Sequence, residues 1–301
     1  MSTNRKILLQ RLSKGNGTET IFDSLDVSES TRREYCHRIG LFLSYAQRYG
    51  FNQQSYLAFK RYLDSRSDYA VSTKNKYLIT AKIFLRELVR RGVLPFDVTQ
   101  NVKTFRQSKR HRRQGLTDTE VKLLGAKIQS LPNTPRYSRL RAMFSLLAYQ
   151  GLRQIEIIRL DVEDIDLTKQ TAFILGKGED DKELIYLTPA TVKAVRDYIC
   201  LCKPKGSLFS SMGNRKRDRL STRTIKQEFQ TLFSELGYEK TVHGFRHFYV
   251  TELLKNMDMR DVRKFSRHRS MEMLIIYDDE VSMKEKTAKV FQVMKAFDLS
   301  R

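Results

Sequence analysis

The stretch KTFRQSKRHRRQG at 103–115 most constrains how this chain can fold. It is rich in lysine and arginine, has no apolar period and closes on a glycine, so it reads as a solvated linker rather than part of a core. Helical apolar periodicity runs on both sides of it. The chain is therefore expected to form two packed bodies, and 301 residues are enough for two cores.

On the N-terminal side, residues 1–19 are polar and basic, contain Gly15 and Gly17 and have no periodicity; a mobile tail is expected. Residues 20–102 then read as a helical domain. Ser28 or Ser30 can cap a helix carrying Tyr35, Ile39, Leu41, Phe42 and Tyr45, which stops near Gly50. A second helix runs from Gln53 to Ser65. A third starts at Ser72 or Thr73, buries Tyr77, Leu78, Ala81, Phe84, Leu85 and Leu88, and stops before Gly92. The outward positions carry Arg32, Arg33, Lys60, Arg61, Lys74, Lys76 and Lys82. A solvated face accounts for these cations. With few acids to balance them, contact with phosphates accounts for them equally well, and Arg32, Arg33, Lys74 and Lys76 are the candidates. In the linker, Lys109, Arg110, Arg112 and Arg113 could lie along the same backbone.

Residues 116–301 form the second expected domain. Thr117 followed by Glu120 is a capping box ahead of Val121, Leu123 and Leu124. Leu140, Met143, Phe144 and Leu147 fall at i, i+3, i+4 and i+7, so the helix ending near Gly151 belongs to the core. GLRQIEIIRL follows at 151–160, with Arg153 and Glu156 one helical turn apart; the carboxylate could orient the guanidinium or form an ordinary surface pair. Thr171–Leu175 reads as a strand, and GKGEDD turns it into a second at Leu184–Leu187, which leaves Lys177 on the shoulder of a hairpin. Thr188 and Pro189 open a helix with Val192, Val195 and Ile199 inside. A polar, basic connection from Lys203 to Arg219 leads to a helix beginning at Thr222 or Thr224.

The excess of 56 Lys+Arg over 34 Asp+Glu, a formal +22 with pI near 9.9, calls for a polyanionic partner, nucleic acid before a membrane surface. No apolar run is long enough to span a bilayer, and the first residues lack a signal-peptide core. Cys36, Cys200 and Cys202 lack zinc spacing and suit buried thiols in a reducing cytoplasm; no metal or cofactor is expected.

The last informative stretch is HGFRHFYVTELLKNMDMRDVRKFSRHRSMEMLIIY at 243–277. His243 and Arg246 share a helical face, and His268 and Tyr277 follow. Arginine matches phosphate oxygens with two donors, so these groups could build a phosphate-attacking site; a capping or core histidine beside a surface arginine is the plainer alternative.

Taken in order, Arg153 in GLRQIE, Lys177 in GKG, HGFR at 243–246, His268 and Tyr277 resemble the tyrosine recombinase/integrase family. Ser28, Thr31 and Tyr35, with the Ser72-Thr73 helix start, resemble that family's core-binding domain. The resemblance implies a mainly α fold with a small β-sheet or hairpin (α+β), a two-domain C-shaped DNA clamp and a simple layout without an arm-binding domain. It also implies site-specific recombination through a 3′-phosphotyrosine intermediate and a Holliday junction. In it Tyr277 is the nucleophile, Arg153 and Arg246 clamp the phosphate, His243 is the base, Lys177 the acid, His268 a phosphate hydrogen-bonding group and Glu156 a support. The implied partners are double-stranded DNA and a homotetramer assembled through a C-terminal helix over Val281–Phe297, with room for a partner recombinase or accessory protein.

Three features depart from the family pattern. The hairpin tip is acidic, so Lys182 competes with Lys177. Ser266-Arg267-His268 stands where L-G-H is usual. Asn256 would have to supply the left-handed turn residue that a glycine customarily supplies. A type IB topoisomerase shares this chemistry, and a non-enzymatic basic DNA-binding regulator would explain the charge alone.

Overall fold

The computed structural model describes residues 21–107, 115–176, 178–211, 219–275 and 277. The chain divides into two compact units, Met1–Lys109 and Arg110–Arg301, and the division falls inside the basic stretch. Both units are mainly helical, and an antiparallel three-stranded sheet belongs to the second.

In the first unit, helix α1 (Glu29–Tyr49) packs with α2 (Ser55–Ser65) and α3 (Val71–Arg90). Ser28 caps α1 by accepting from the Thr31 N–H at 3.3 Å, and Gly50, at φ 82°, ends it. The core closes on Phe22, Ile39, Phe42, Tyr56, Phe59, Leu78 and Phe84, with the Phe42 and Phe59 rings edge to face at 5.0 Å. Three expectations need correction. Helix α3 begins at Val71 rather than at Ser72 or Thr73, and Tyr77 is only half-buried. Lys74 is not on an outward face: it is 9% exposed, and its Nζ donates to the Asp64 carbonyl at 2.8 Å. Burying an ammonium requires such a partner, so this lysine is bound into the fold. Arg33 and Lys76 are exposed and Arg32 is half-buried. Arg33 pairs with Glu29, and Arg32 lies 3.6 Å from Asp23.

In the second unit, α4 (Asp118–Ser130) starts with the expected capping box: the Thr117 N–H donates to Glu120 at 2.8 Å, and the Glu120 N–H donates back at 3.2 Å. Helix α5 (Pro135–Ala148) is buried on nearly every side and forms the middle of the core. Around it lie α6 (Gln154–Arg159), α7 (Pro189–Cys202), α8 (Thr222–Glu235) and α9 (His243–Asn256), and α10 (Met259–Ser266) packs on α9. The sheet runs β1 (Ile165–Asp166), β2 (Thr171–Leu175), β3 (Lys182–Tyr186), with Thr171 opposite Tyr186 and Leu175 opposite Lys182. Strand β1 is too short to leave a period in the sequence. Helix α8 begins at Thr222, one of the two expected starts, with Ser221 as its cap.

Asn256 is the last helical residue of α9 and is not left-handed; Arg267, which ends α10, is left-handed at φ 55°. The cysteines are free thiols but not core groups, since Cys200 is exposed and Cys36 and Cys202 are half-buried. Among the described residues no helix is long and apolar enough to cross a membrane. The tail at 1–19, Lys109, Arg110, Arg112, Arg113, Lys177 and the C-terminal helix lie outside the described residues.

Candidate active site

The site is built where the ends of three segments meet. The turn after α5 needs Gly151: its φ is +60°, and a Cβ there would stand 2.3 Å from the Tyr249 ring. That turn delivers Arg153 to the position just before α6. Glu156, one turn later, reaches back: its carboxylate accepts from the Arg153 backbone N–H at 2.8 Å and from Arg153 Nη1 at 2.7 Å. The anticipated Arg153–Glu156 contact is therefore present, and it is no surface pair, because Glu156 is 1% exposed. Burial alone would raise this carboxyl, but Arg267, the Arg153 N–H, Arg153 and Arg246 outweigh it and hold the group below the ordinary carboxylate range.

Helix α9 contributes from the opposite side. His243 is its exposed first residue, and Arg246, one turn on, is 2% exposed. Arg246 Nη1 donates to the Gly151 carbonyl at 2.8 Å and Nη2 to the Ser266 carbonyl. One guanidinium thus joins the turn that bears Arg153 to the turn that bears His268. Burial, then repulsion from Arg153 and Arg267, pulls Arg246 down to about 10, which still leaves it a cation at neutral pH.

His268 is 5% exposed, and its Nδ1 lies 2.7 Å from Ser266 Oγ. Burial, reinforced by Arg246, Arg153, Arg267 and His243, drives it down to about 3, so it is neutral in physiological conditions. Ser266 Oγ is also 3.4 Å from the Arg263 carbonyl, and the contact with Nδ1 leaves Nε2 as the ring nitrogen that can face a phosphate oxygen, as a donor in the Nε2–H tautomer.

Tyr277 is 4% exposed and packs in a small apolar cluster with Val250, Val262 and Leu274. Its ring centre is 5.8 Å from that of His268 and 4.8 Å from that of His247. His247 carries no distinguishing spacing or motif in the sequence. It is buried, and Gly115 at the end of the linker presses on it so closely that a Cβ there would meet its Nδ1 at 2.2 Å.

The hairpin approaches the same place. Gly176 and Gly178, on either side of Lys177, accept from Arg159 Nη1 at 2.6 Å and from Arg269 Nη2 at 2.8 Å. Arg269 Nε also donates to Glu179 at 2.9 Å, so the acidic tip is docked against the residue after His268. Lys182, the competing lysine, opens β3 beside the hairpin turn but is paired with the buried Asp164, and that hydrogen bond raises its basicity. The structure brings together Arg153, Glu156, Arg246, His268 and Tyr277, with His243 at the rim.

Residues 114–283 match the phage integrase family. The chain is 28% identical over 234 residues to tyrosine recombinase XerC of Lactobacillus leichmannii, covering 74% of this chain and 77% of that protein. It is 27% identical over 217 residues to tyrosine recombinase XerD of Lacticaseibacillus casei, covering 69% and 72%. In fold it is similar to XerH site-specific recombinase bound to palindromic difH substrate, with a TM-score of 0.70 at 15% identity over 94% of this chain and 84% of that one. It is likewise similar to a lambda integrase dimer bound to a COC' core site, with a TM-score of 0.68 at 17% identity over 94% and 79%. With the match spanning more than half its length, and the Arg153, Arg246, His268 and Tyr277 segments gathered in one place, the chain belongs to the phage integrase family, the tyrosine recombinases.

Proposed function

We propose that this chain is a site-specific DNA recombinase that cuts and rejoins double-stranded DNA through a covalent 3′-phosphotyrosine on Tyr277. The observation that carries the reading is the buried Arg246 guanidinium, which ties the Arg153 turn to the His268 turn and so assembles one cationic site beside Tyr277. In the reaction, the Tyr277 oxygen forms a bond to a backbone phosphorus as the bond from phosphorus to the 5′-oxygen breaks. The phenolic proton goes to His243, and Lys177 supplies a proton to the leaving 5′-oxygen. Arg153 and Arg246 hold the non-bridging oxygens where charge builds, and neutral His268 donates a further hydrogen bond. The phosphodiester energy is kept in the adduct, so resealing needs no nucleotide. Attack by the 5′-hydroxyl of a second duplex gives a Holliday junction, within an assembly of four protomers held by the C-terminal helices. Arg32, Arg33, Lys76 and the linker cations Lys109, Arg110, Arg112 and Arg113 belong to the DNA-facing surface in this reading, whereas the bound Lys74 does not.

The test is a nicked suicide duplex drawn from the DNA that flanks the gene. Wild-type protein should form a covalent adduct, and Tyr277→Phe should bind the duplex but form none. Adduct in that variant places the nucleophile elsewhere. Transfer of the cut strand to a second duplex separates a recombinase from a topoisomerase, which would only relax supercoils.

A further inference from the structure

Arg267 stands where the backbone favours glycine. It follows α10 at φ 55°, ψ 46°, with its N–H closing the helix end onto the Arg263 and Lys264 carbonyls. This left-handed conformation is the usual site of a helix-ending glycine, and a bulky L-residue is strained there. A glycine would make the same backbone hydrogen bonds without the strain, so capping alone does not account for the arginine. Its side chain is not turned to solvent either. It is 7% exposed, with Nη1 donating to the Phe265 carbonyl at 3.0 Å and Nη2 to Glu156 Oε2 at 3.1 Å.

Glu156 therefore serves two guanidiniums. Its Oε1 takes Arg153 Nη1, and its Oε2 takes Arg267 together with the Arg153 backbone N–H. Three charged groups face this carboxylate: Arg153 from the turn before α6, Arg246 from α9 and Arg267 from the end of α10. His268 stands within electrostatic reach of all three arginines and of His243, and Tyr277 within reach of Arg246. Three guanidiniums against one carboxylate give a net charge of 3 − 1 = +2, and without Arg267 this falls to 2 − 1 = +1. Arg267 also keeps an almost wholly buried carboxyl ionised, and only the ionised form can hold Arg153 by both its backbone and its side chain.

We propose that Arg267 is a positioning residue for phosphate binding: it neutralises Glu156 from behind, so that Glu156 fixes Arg153 without cancelling the positive charge that Arg153 presents to DNA. This rests on the recombinase reading above. Arg267 need not touch the substrate, and its effect passes through Glu156.

The experiment measures single-turnover adduct formation against pH on a suicide duplex, for wild type, Arg267→Gly, Arg267→Lys, Glu156→Gln and Arg267→Gly/Glu156→Gln. Thermal melts run alongside. Arg267→Gly relieves the strain but takes a partner from the buried Glu156, two effects that oppose each other, so it should remain folded. It should nevertheless cut at least ~10-fold more slowly near neutral pH, with its acid limb displaced upward as Glu156 holds its proton longer. Arg267→Lys, which keeps both the charge and the strain, should recover much of the rate and return the limb toward the wild-type position. In the Glu156→Gln background the limb should be absent, and adding Arg267→Gly should move nothing further. A wild-type rate and limb in Arg267→Gly overturns the proposal. A limb shift that persists with Gln at 156 also overturns it, because Arg267 would then act elsewhere. If Arg267→Gly melts lower, Arg267→Lys decides: loss equal to that of glycine, without a limb shift, makes the role structural and overturns the proposal. Absence of adduct in wild type would count against the recombinase reading itself.

Discussion

Replacing Gly115 by alanine would put a methyl carbon 2.2 Å from Nδ1, 2.6 Å from Cγ and 2.9 Å from Cβ of His247. Ordinary contact begins near 3.4 Å, so one partner has to yield by 3.4 − 2.2 = 1.2 Å. The backbone here is held: Lys240 Nζ donates to the Gly115 carbonyl at 2.8 Å, and the Leu116 N–H donates to the Gly244 carbonyl at 3.3 Å. Rotating the imidazole does not clear its own Cβ. The His247 ring therefore moves, and the ring next to it, at 4.8 Å, is Tyr277. Overpacking of this kind costs roughly 1–3 kcal/mol. In a unit of this size that lowers Tm by about 2–4 °C per kcal/mol. The kinetic effect should be larger in proportion, because a misplacement of about 1 Å at a reacting group can cost ~10²-fold. Single-turnover adduct formation on a suicide duplex, read beside DNA affinity by anisotropy, separates the two effects. We expect Gly115→Ala to bind DNA normally and cut ~10- to 100-fold more slowly. Gly115→Ala/His247→Ala, which removes the 2.2 and 2.6 Å contacts and leaves only the one with Cβ at 2.9 Å, should regain part of the melting temperature. A folded Gly115→Ala protein that cuts at the wild-type rate would refute this coupling.

Lys177→Ala should slow cleavage of ordinary DNA strongly and recover on a 5′-bridging phosphorothiolate, whose thiolate leaves without a proton, whereas Lys182→Ala should mainly release the Asp164 pair and lower stability; the opposite pattern moves the acid to Lys182. Gly151→Ala should destabilise by about 2 kcal/mol or more, combining a left-handed alanine with a Cβ 2.3 Å from the Tyr249 ring, and a denaturation midpoint unchanged from wild type would contradict the packing described. Because folding lowers His268 from 6.5 to about 3, the unfolded chain takes up the proton first on acidification. Its contribution is intact above about 6.5 and falls toward 3, by at most about 1.4 kcal/mol per pH unit. Wild type should therefore lose stability relative to His268→Gln as the pH falls through that window, and a constant difference in urea titrations would exclude a buried neutral imidazole.

The helices and their caps were readable because caps are local: Thr117 with Glu120, Thr188 with Pro189, and Ser28 each declare a start within a few residues. The order of Arg153, His243, Arg246, His268 and Tyr277 was readable for a different reason, as a spacing that resembles a family. What stayed hidden depends on approach between distant segments. Lys74 looks like any lysine on a helix until Asp64 is found beside it. His247 is one aromatic among several in its run, and only the fold shows it wedged between Gly115 and Tyr277. Asn256, a permissive type, stays helical, while Arg267 at the end of the next helix is left-handed, where a buried carboxylate lies within reach. Residue preference predicts what is easy locally; a charge pair across the fold outweighed it.

Tyr277 sits among Val250, Val262 and Leu274 as a core residue would, and this changes what stability means for the protein. If Tyr277 is the nucleophile proposed above, it is ready to react only as often as the packing around it lets it be. A methylene trimmed from Leu274 or Val262 would usually be counted as a small loss in melting temperature. Here it would also alter the fraction of time the phenol is aligned, and with it the balance between cutting at the intended site and cutting elsewhere. In this corner of the molecule, fidelity is a property of how well hydrocarbon fits hydrocarbon.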